Sequence, residues 1–308
     1  MIDRRTFLGA TAAGAASLLL RQSSRPAPLI REISLGATGR SVPRLGLGCF
    51  PLGNLPKEDD GIAVVRHALR HGMRYFDTAP SYNGGESERR VGAAIAGSVR
   101  AELFITTKTL ERRADGARRE LEASLRRLGV EYVDCVQVHE VHDDWESLFS
   151  KDLVLDGLAR ARSEKLVRHI GITCHRDPRY VRSACERYEF ATALVPVNPA
   201  DPQHLSFVRD FLPFATEKRI AVVAMKIFGG GRLVTDKLLT ARECLQYAWA
   251  QKNATVLVPG AASIAELDDA LAVAREDKSF DAAWLAAVEA KVGVHRGKDT
   301  EWYKNSKP

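Results

Sequence analysis

Between residues 45 and 260 the chain alternates short apolar runs with longer stretches whose apolar positions recur every three or four residues. The runs read LGLGCF (45–50), RYFDTA (74–79), LFITTK (103–108), CVQVHE (135–140), RHIGIT (168–173), TALVPVN (192–198), IAVVAMK (220–226) and TVLVPG (255–260). Continuous apolar runs of this length suit parallel strands covered on both faces. In EDDGIAVVRHALRHG, Ile62, Val65 and Leu69 share one helical face and Gly72 stops the helix. GARRELEASLRRLG repeats the pattern with Leu121, Leu125 and Leu128, its arginines forming a solvated outer face. DPRYVRSACERY opens with Asp177 as N-cap and Pro178 in the first turn.

Eight strands alternating with helices in one chain predict an α/β protein, a (β/α)8 TIM barrel. A doubly wound open sheet is the rival, but no GxGxxG opens a first helix. Ahead of the beat, REISLGATGRSVPRL predicts an N-terminal β-hairpin around GATGR. Behind it, AAWLAAVEAKV predicts a C-terminal helix, followed by a polar tail ending in WYKNSKP. Residues 31–308 therefore form one barrel domain.

Composition changes this picture little. The 308 residues are 45% hydrophobic and 27% charged, which is ordinary for a globular chain with a large core. A formal charge of +6, part of it on residues 1–25, is too mild for a nucleic-acid binder but would tolerate a phosphorylated ligand. Cys49, Cys135, Cys174, Cys185 and Cys244 are scattered without CxxC spacing, so they read as buried packing residues.

The N-terminus departs from this plainness. Arg4 and Arg5 precede Phe7 and Leu8, and an uncharged, alanine-rich run extends to Leu20. That run is short for a membrane span and resembles a twin-arginine (Tat) export signal. The expectation is a signal segment over residues 1–30, recognition by the Tat export machinery, a periplasmic location and no stable membrane span. The alternative is an ordinary basic tail on a cytoplasmic protein.

Candidate chemistry lies at the strand ends. In a barrel of this kind, chemistry sits at the carboxyl ends of the strands. Asp77 ends the second run, Tyr82 lies in the loop it feeds, Lys108 closes the third, and His139 ends the fourth. Together these predict an acid–base site. A lysine near a phenol favours the phenolate and lowers its pKa. Asp77 supplies the lysine's counter-charge, Tyr82 serves as general acid toward a carbonyl oxygen, and His139 orients that oxygen. The missing hydride points to a nicotinamide cofactor. His139, His142, Asp143 and Asp144 do not read as a metal cluster, because a loop does not fix His-x-x-His as a helix would.

The order and spacing of these four residues, with LGATGRSVPRLGLG, FDTAPSYNGGESERRVG, ITTK, QVHE and VPGAASIAELDDAL, resemble the aldo-keto reductase family from about Ser34 to Ala274. The resemblance implies that Asp77, Tyr82, Lys108 and His139 are the catalytic set. It places the nicotinamide carboxamide at Thr173, Cys174 and His175, where Ser-Asn is common in the family. It puts the family's glutamine contact near Leu194, with Asn198 as substitute.

The glycines of MKIFGGGRL offer amides to a pyrophosphate, with Lys226 and Arg232 adding positive charge. Ser263 stands at a helix start where a phosphate could dock. Glu266 occupies the place of an arginine common in NADP-preferring members, and Ala270 that of an adenine-contacting asparagine. The expected cofactor contacts are Gly48, Thr173, Cys174, His175, Asn198, Met225, Lys226, Phe228, Gly229, Gly230, Arg232, Gly260, Ser263 and Glu266. The expected cofactor is NADP or NAD: family habit favours NADP, while Glu266 argues for NAD.

Phe50, Trp145 and Phe228 are expected pocket walls. The expected activity is an NAD(P)-dependent oxidoreductase acting on a small carbonyl or alcohol, including a sugar. The rival readings are a cofactor-binding sensor on the same barrel, and a barrel isomerase or lyase working without nicotinamide.

Overall fold

The computed structural model describes residues 30–293 and 300–305; the expected signal segment lies outside them, apart from Ile30. Two strands open the described chain: β1 (Glu32–Ser34) and β2 (Ser41–Pro43), paired antiparallel. They form the expected hairpin. Each of the eight apolar runs then contributes to one parallel strand. These are β3 (Leu47–Gly48), β4 (Tyr75–Asp77), β5 (Phe104–Thr109), β6 (Val133–Val138), β7 (Val167–Thr173), β8 (Thr192–Pro196), β9 (Ala221–Met225) and β10 (Val256–Leu257). They pair in sequence order from β3 to β10.

Parallel bridges Leu45–Leu257 and Gly48–Gly260 join the first barrel strand to the last. Both edge strands are shorter than their runs, because the seam is closed by single bridges rather than a full ladder. At Gly48 a Cβ would lie 2.7 Å from the Val258 carbonyl oxygen, so only glycine lets the two backbones approach this closely. The result is the (β/α)8 barrel expected from the pattern.

Helices cover the outside. They are α1 (Phe50–Gly53), α2 (Glu58–Arg70), α3 (Glu86–Ile95), α4 (Ala114–Leu128), α5 (Val154–Ser163), α6 (Pro178–Arg187), α7 (Phe207–Asp210), α8 (Leu212–Glu217), α9 (Arg232–Thr235), α10 (Ala241–Ala250), α11 (Ile264–Glu276) and α12 (Ala282–Val292). The local signals explain several ends. Asp177 accepts the Arg179 amide at the start of α6, and Gly129 takes a left-handed conformation after α4.

Strand periodicity sorts the core into two bodies. Tyr75, Phe104, Cys135, Leu194, Val223 and Val256 fill the barrel interior, with Leu35 and Val42 of the hairpin region packed among them. Phe76, Ile105, Val136, Ile170 and Val222 face outward into the larger core beneath the helices. Burying a side chain of this size contributes about 1.5–3 kcal/mol, so both layers are substantial. The same two-residue period that turns Tyr75 and Phe104 inward carries Asp77 and Lys108 to the barrel's upper end. The fold thus gathers polar residues from adjacent strands at the mouth.

Candidate active site

Lys108 is the centre of that cluster. Its side chain is 1% exposed, yet its ammonium is fully engaged: Nζ donates to Asp77 Oδ2 at 2.7 Å and to the Thr78 carbonyl at 2.8 Å. Thr106, one inward position below Lys108, donates to Asp77 Oδ1 at 2.9 Å and fixes the carboxylate's other oxygen. A buried lysine so paired stays charged. Burial alone would lower its pKa, but Asp77 and Tyr82 together raise it.

Tyr82 leans over this pair. Lys108 Nζ lies 4.9 Å from the Tyr82 ring centroid, and Phe50 meets the ring edge-on at 5.2 Å. The His139 ring stands 6.3 Å away on another side. Four residues from the ends of β4, β5 and β6 and from the β4–α3 loop therefore converge at one place.

One electrostatic expectation is corrected. Sequence reasoning had Lys108 bring the phenol down toward neutrality, whereas Tyr82 is pushed up to about 12. Burial is the largest cause. Lys108 pulls down, but Asp77 partly offsets it. The phenol is thus a protonated donor beside a fixed cation, rather than a pre-formed phenolate. His139 moves the other way: burial first, then Lys108 and His175, hold its imidazole neutral well below the usual histidine range.

A second pair lies beside the first. Glu140 Oε1 and His175 Nδ1 are 3.1 Å apart, although the ring is turned away from good hydrogen-bond alignment. Burial would raise the Glu140 carboxyl, but His175, His142 and His139 bring it down to about 2. Sequence reasoning missed Glu140. Its position directly after His139 at the end of a barrel strand was the available signal.

These groups line a cavity of about 530 Å³, within the range for a small-molecule site. Its lining includes Gly48, Phe50, Pro51 and Tyr82 and, after β9, Met225, Lys226, Phe228 and Gly230. Val258 and Gly260 also line it, as do Trp302 and Tyr303 of the C-terminal segment. Phe50 and Phe228 are the expected pocket walls. Trp145 is not: it packs against Phe149, with Arg187 over its ring.

Of the residues expected to hold a dinucleotide, Gly48, His175, Met225, Lys226, Phe228, Gly230 and Gly260 line the cavity. His139 Nδ1 and Thr173 Oγ1 are buried polar atoms without a hydrogen-bond partner, and Lys226 is a mostly buried amine with no carboxylate paired to it among the described residues. Burial lowers the Lys226 pKa, opposed only by Glu140. His139 and Lys226 line the cavity, while Thr173 lies fully buried away from its lining. An unsatisfied ring nitrogen beside an unpaired cation fits a polar, anionic ligand. The nicotinamide end of a dinucleotide is therefore compatible with the residues present.

The remaining expected contacts lie elsewhere or are already occupied. Cys174 donates its thiol to the Asp177 carbonyl at 3.3 Å, and burial pushes its pKa up to about 12. Asn198 donates to Glu301 Oε1 and to the Tyr303 hydroxyl, and accepts from the Ala200 and Asp201 amides. Its amide is spent on the C-terminal segment. Leu194 belongs to the barrel interior and Ala270 to the outer core. Ser263 caps α11 by accepting from the Glu266 amide at 3.3 Å, while Glu266 Oε2 takes the Ala262 amide at 2.8 Å. A carboxylate thus already occupies that helix N-terminus, where an anion would otherwise dock. Arg232 is exposed at the start of α9.

The glycine run, of which Gly230 and Gly231 line the cavity, also accommodates another part of the chain. Gly229, Gly230 and Gly231 all have positive φ, and a Cβ on Gly230 would meet Trp302 Nε1 at 2.8 Å. On Gly229 it would come within 3.0 Å of Thr300 Cγ2. These glycines make room for the C-terminal segment. Within the expected polar tail, four of the described residues are buried: Thr300, Glu301, Tyr303 and Lys304 are each at most 5% exposed. The aromatic pair in WYK was the signal for it.

Comparison with known proteins agrees with this geometry. Residues 44–243 match the model of the Aldo/keto reductase family. L-galactose dehydrogenase of Arabidopsis thaliana is 25% identical over 305 residues, spanning 83% of this chain and 92% of that protein. Among solved structures, an aldo-keto reductase from Bacillus halodurans (holo form) superposes with a TM-score of 0.73 at 22% identity, covering 87% of this chain and 99% of that one. An aldo/keto reductase from Klebsiella pneumoniae in complex with NADP and acetate gives 0.70 at 23% identity, covering 84% and 95%. With its eight-stranded barrel and a family match across well over half its length, this chain belongs to the aldo/keto reductases, a family of NAD(P)-dependent oxidoreductases.

Proposed function

We propose that this protein interconverts a small carbonyl compound and its alcohol, with Tyr82 as the general acid for reduction. The observation that carries the reading is the Asp77–Lys108 pair held against a protonated phenol at one end of the cavity. A bound nicotinamide dinucleotide supplies the hydride. His175, Lys226, Gly48 and Gly260, which line the cavity, are the residues that would hold it.

Each residue then has one task. Tyr82 donates its hydroxyl proton to the carbonyl oxygen as negative charge builds there. Lys108 stabilises the phenolate left behind, which keeps the proton transfer from running uphill in a buried site. Asp77 and the Thr78 carbonyl hold Lys108 in position. His139, kept neutral, directs a ring N–H at the same oxygen without itself releasing a proton. Phe50 and Phe228 give the cavity its apolar aromatic lining.

A sugar substrate is consistent with the name of the Arabidopsis relative and with a cavity that mixes aromatic and polar walls. For the cofactor, the Klebsiella protein's NADP favours NADPH, whereas the Glu266 carboxylate at the start of α11 disfavours a 2′-phosphate. Titration with NADPH and NADH, before and after Glu266→Arg, decides between them.

Steady-state turnover on a panel of aldehydes, ketones and sugars, compared with cofactor affinity alone, tests the reading. Turnover with either cofactor supports it. Tight cofactor binding with no turnover on any substrate would assign the barrel to sensing, and no fluorescence change with either cofactor would overturn both. Arg4 and Arg5 support export through the Tat machinery to the periplasm. Fractionation of the tagged chain beside an Arg4→Lys, Arg5→Lys variant tests that: equal distribution of the two contradicts it.

A further inference from the structure

The C-terminal segment 300–305 is held by more than packing. Lys304 Nζ lies 2.8 Å from Asp201 Oδ1 and 2.6 Å from Glu301 Oε2, and donates to the His204 carbonyl at 2.7 Å. All three charged side chains are fully buried. Asp201 also accepts from Ser206 Oγ and from the Phe207 and Val208 amides, so it is fixed at the start of α7. The Tyr303 hydroxyl donates to Glu301 Oε1 at 2.6 Å and receives Asn198 Nδ2 at 2.9 Å. An ion cluster of this kind is costly to desolvate and costly to break, so it specifies one position for the segment.

That position is over the loops following β8 and β9, the side of the mouth where the dinucleotide contacts were expected. Trp302 and Tyr303 place their ring centroids 5.4 and 5.3 Å from Lys226 Nζ, and Tyr303 stands 6.4 Å from the His175 ring. Gly230 receives the Trp302 indole where any larger residue would collide. Both aromatics line the cavity, and Trp302 is 46% exposed at its rim. Lys226 is thus framed by two aromatic faces, lacks a paired carboxylate among the described residues, and is confined to the cavity wall.

We propose that residues Thr300–Lys304 form a latch that retains the nicotinamide dinucleotide, with Lys304 as its lock and Trp302 as the rim residue that blocks escape. This rests on the oxidoreductase reading above. The latch confines the ligand in the cavity that Trp302 and Tyr303 line together with Gly48, Val258 and Gly260, and keeps the Lys226 ammonium aimed at the ligand's anionic portion. Interface contacts of this kind act mainly on dissociation. Loss of the latch therefore speeds release without a matching change in association.

The test is stopped-flow release of NADPH, or of NADH if that binds more tightly, from the full chain, read by nicotinamide fluorescence and chased with excess oxidised cofactor. Trp302→Ala, at an exposed rim position, leaves the fold intact and should raise the release rate by about tenfold. Lys304→Met, which unlocks the segment from beneath, should do the same; a lower melting temperature alone would mark a merely structural role. Wild-type binding with release rates unchanged in Trp302→Ala overturns the latch and leaves the oxidoreductase reading standing. Slower release in that variant would make the segment an obstruction instead and likewise overturn the latch. Absence of any binding signal in the wild-type chain overturns both.

Discussion

Lys108 shows how one residue's environment dictates its neighbours. At 1% exposure it remains charged only because Asp77 and the Thr78 carbonyl accept from it, so the three groups form a single unit. Asp77→Asn removes the counter-charge and leaves a buried cation uncompensated, a change that typically costs about 3–5 kcal/mol. Chemical denaturation should record that loss, and Asp77→Asn with Lys108→Met should cost less than the two single changes added together. Additive losses would show that the two side chains do not act as a pair. The identity and clustering of Asp77, Tyr82, Lys108 and His139 were legible because strand ends of a parallel barrel point to one mouth. The direction of the Tyr82 shift was not. It depends on the balance between burial and the nearby lysine, which residue order alone does not reveal.

At the scale of elements, the apolar runs and helical periods located every barrel strand, since packing on both faces leaves a continuous hydrophobic signature. Strand lengths at the seam were not legible, because they depend on how closely Gly48 and Gly260 meet across the closure. Polar links between elements were also hidden. Glu88 of α3 is fully buried, accepting from Thr107 of β5 at 2.5 Å and pairing with Arg127 of α4 at 2.5 Å. Glu88→Gln keeps the shape but removes the charge that pairs with Arg127, and should destabilise the barrel by about 1.5–3 kcal/mol. Activity per folded molecule should be unchanged, since Thr107 faces the helices rather than the cavity. A fall in activity that outpaces the fall in stability would place this link in the site after all.

Over the whole molecule, the C-terminal segment was the largest feature the sequence concealed. Its lysine and glutamate read as solvent-facing polarity, and only distant partners explain their burial: Asp201 and the His204 carbonyl for Lys304, and Asn198 for Glu301. Stability against pH is a second property of the whole. Burial holds His139 and His175 neutral below the ordinary value of 6.5, so the unfolded chain takes up protons there that the folded chain refuses. Their contribution is complete above 6.5 and falls away as pH drops toward their lowered values. Glu140, held at about 2 against an ordinary 4.5, adds a further loss below 4.5. Glu301, which burial and Asp201 push up to about 7, works in the opposite sense between 7 and 4.5. The test is therefore a difference. From pH 7.5 to pH 5 the change in melting temperature should be less unfavourable once His139 and His175 are replaced by Gln, and an unaltered profile in that double variant would contradict these assignments.

The account stands on Tyr82 as the proton donor, and single-turnover hydride transfer in Tyr82→Phe tests it most directly. With cofactor binding followed in parallel, the variant should bind the dinucleotide nearly as the wild type does, while transfer to a carbonyl slows by about 10²–10⁴-fold. Transfer at the wild-type rate would contradict it.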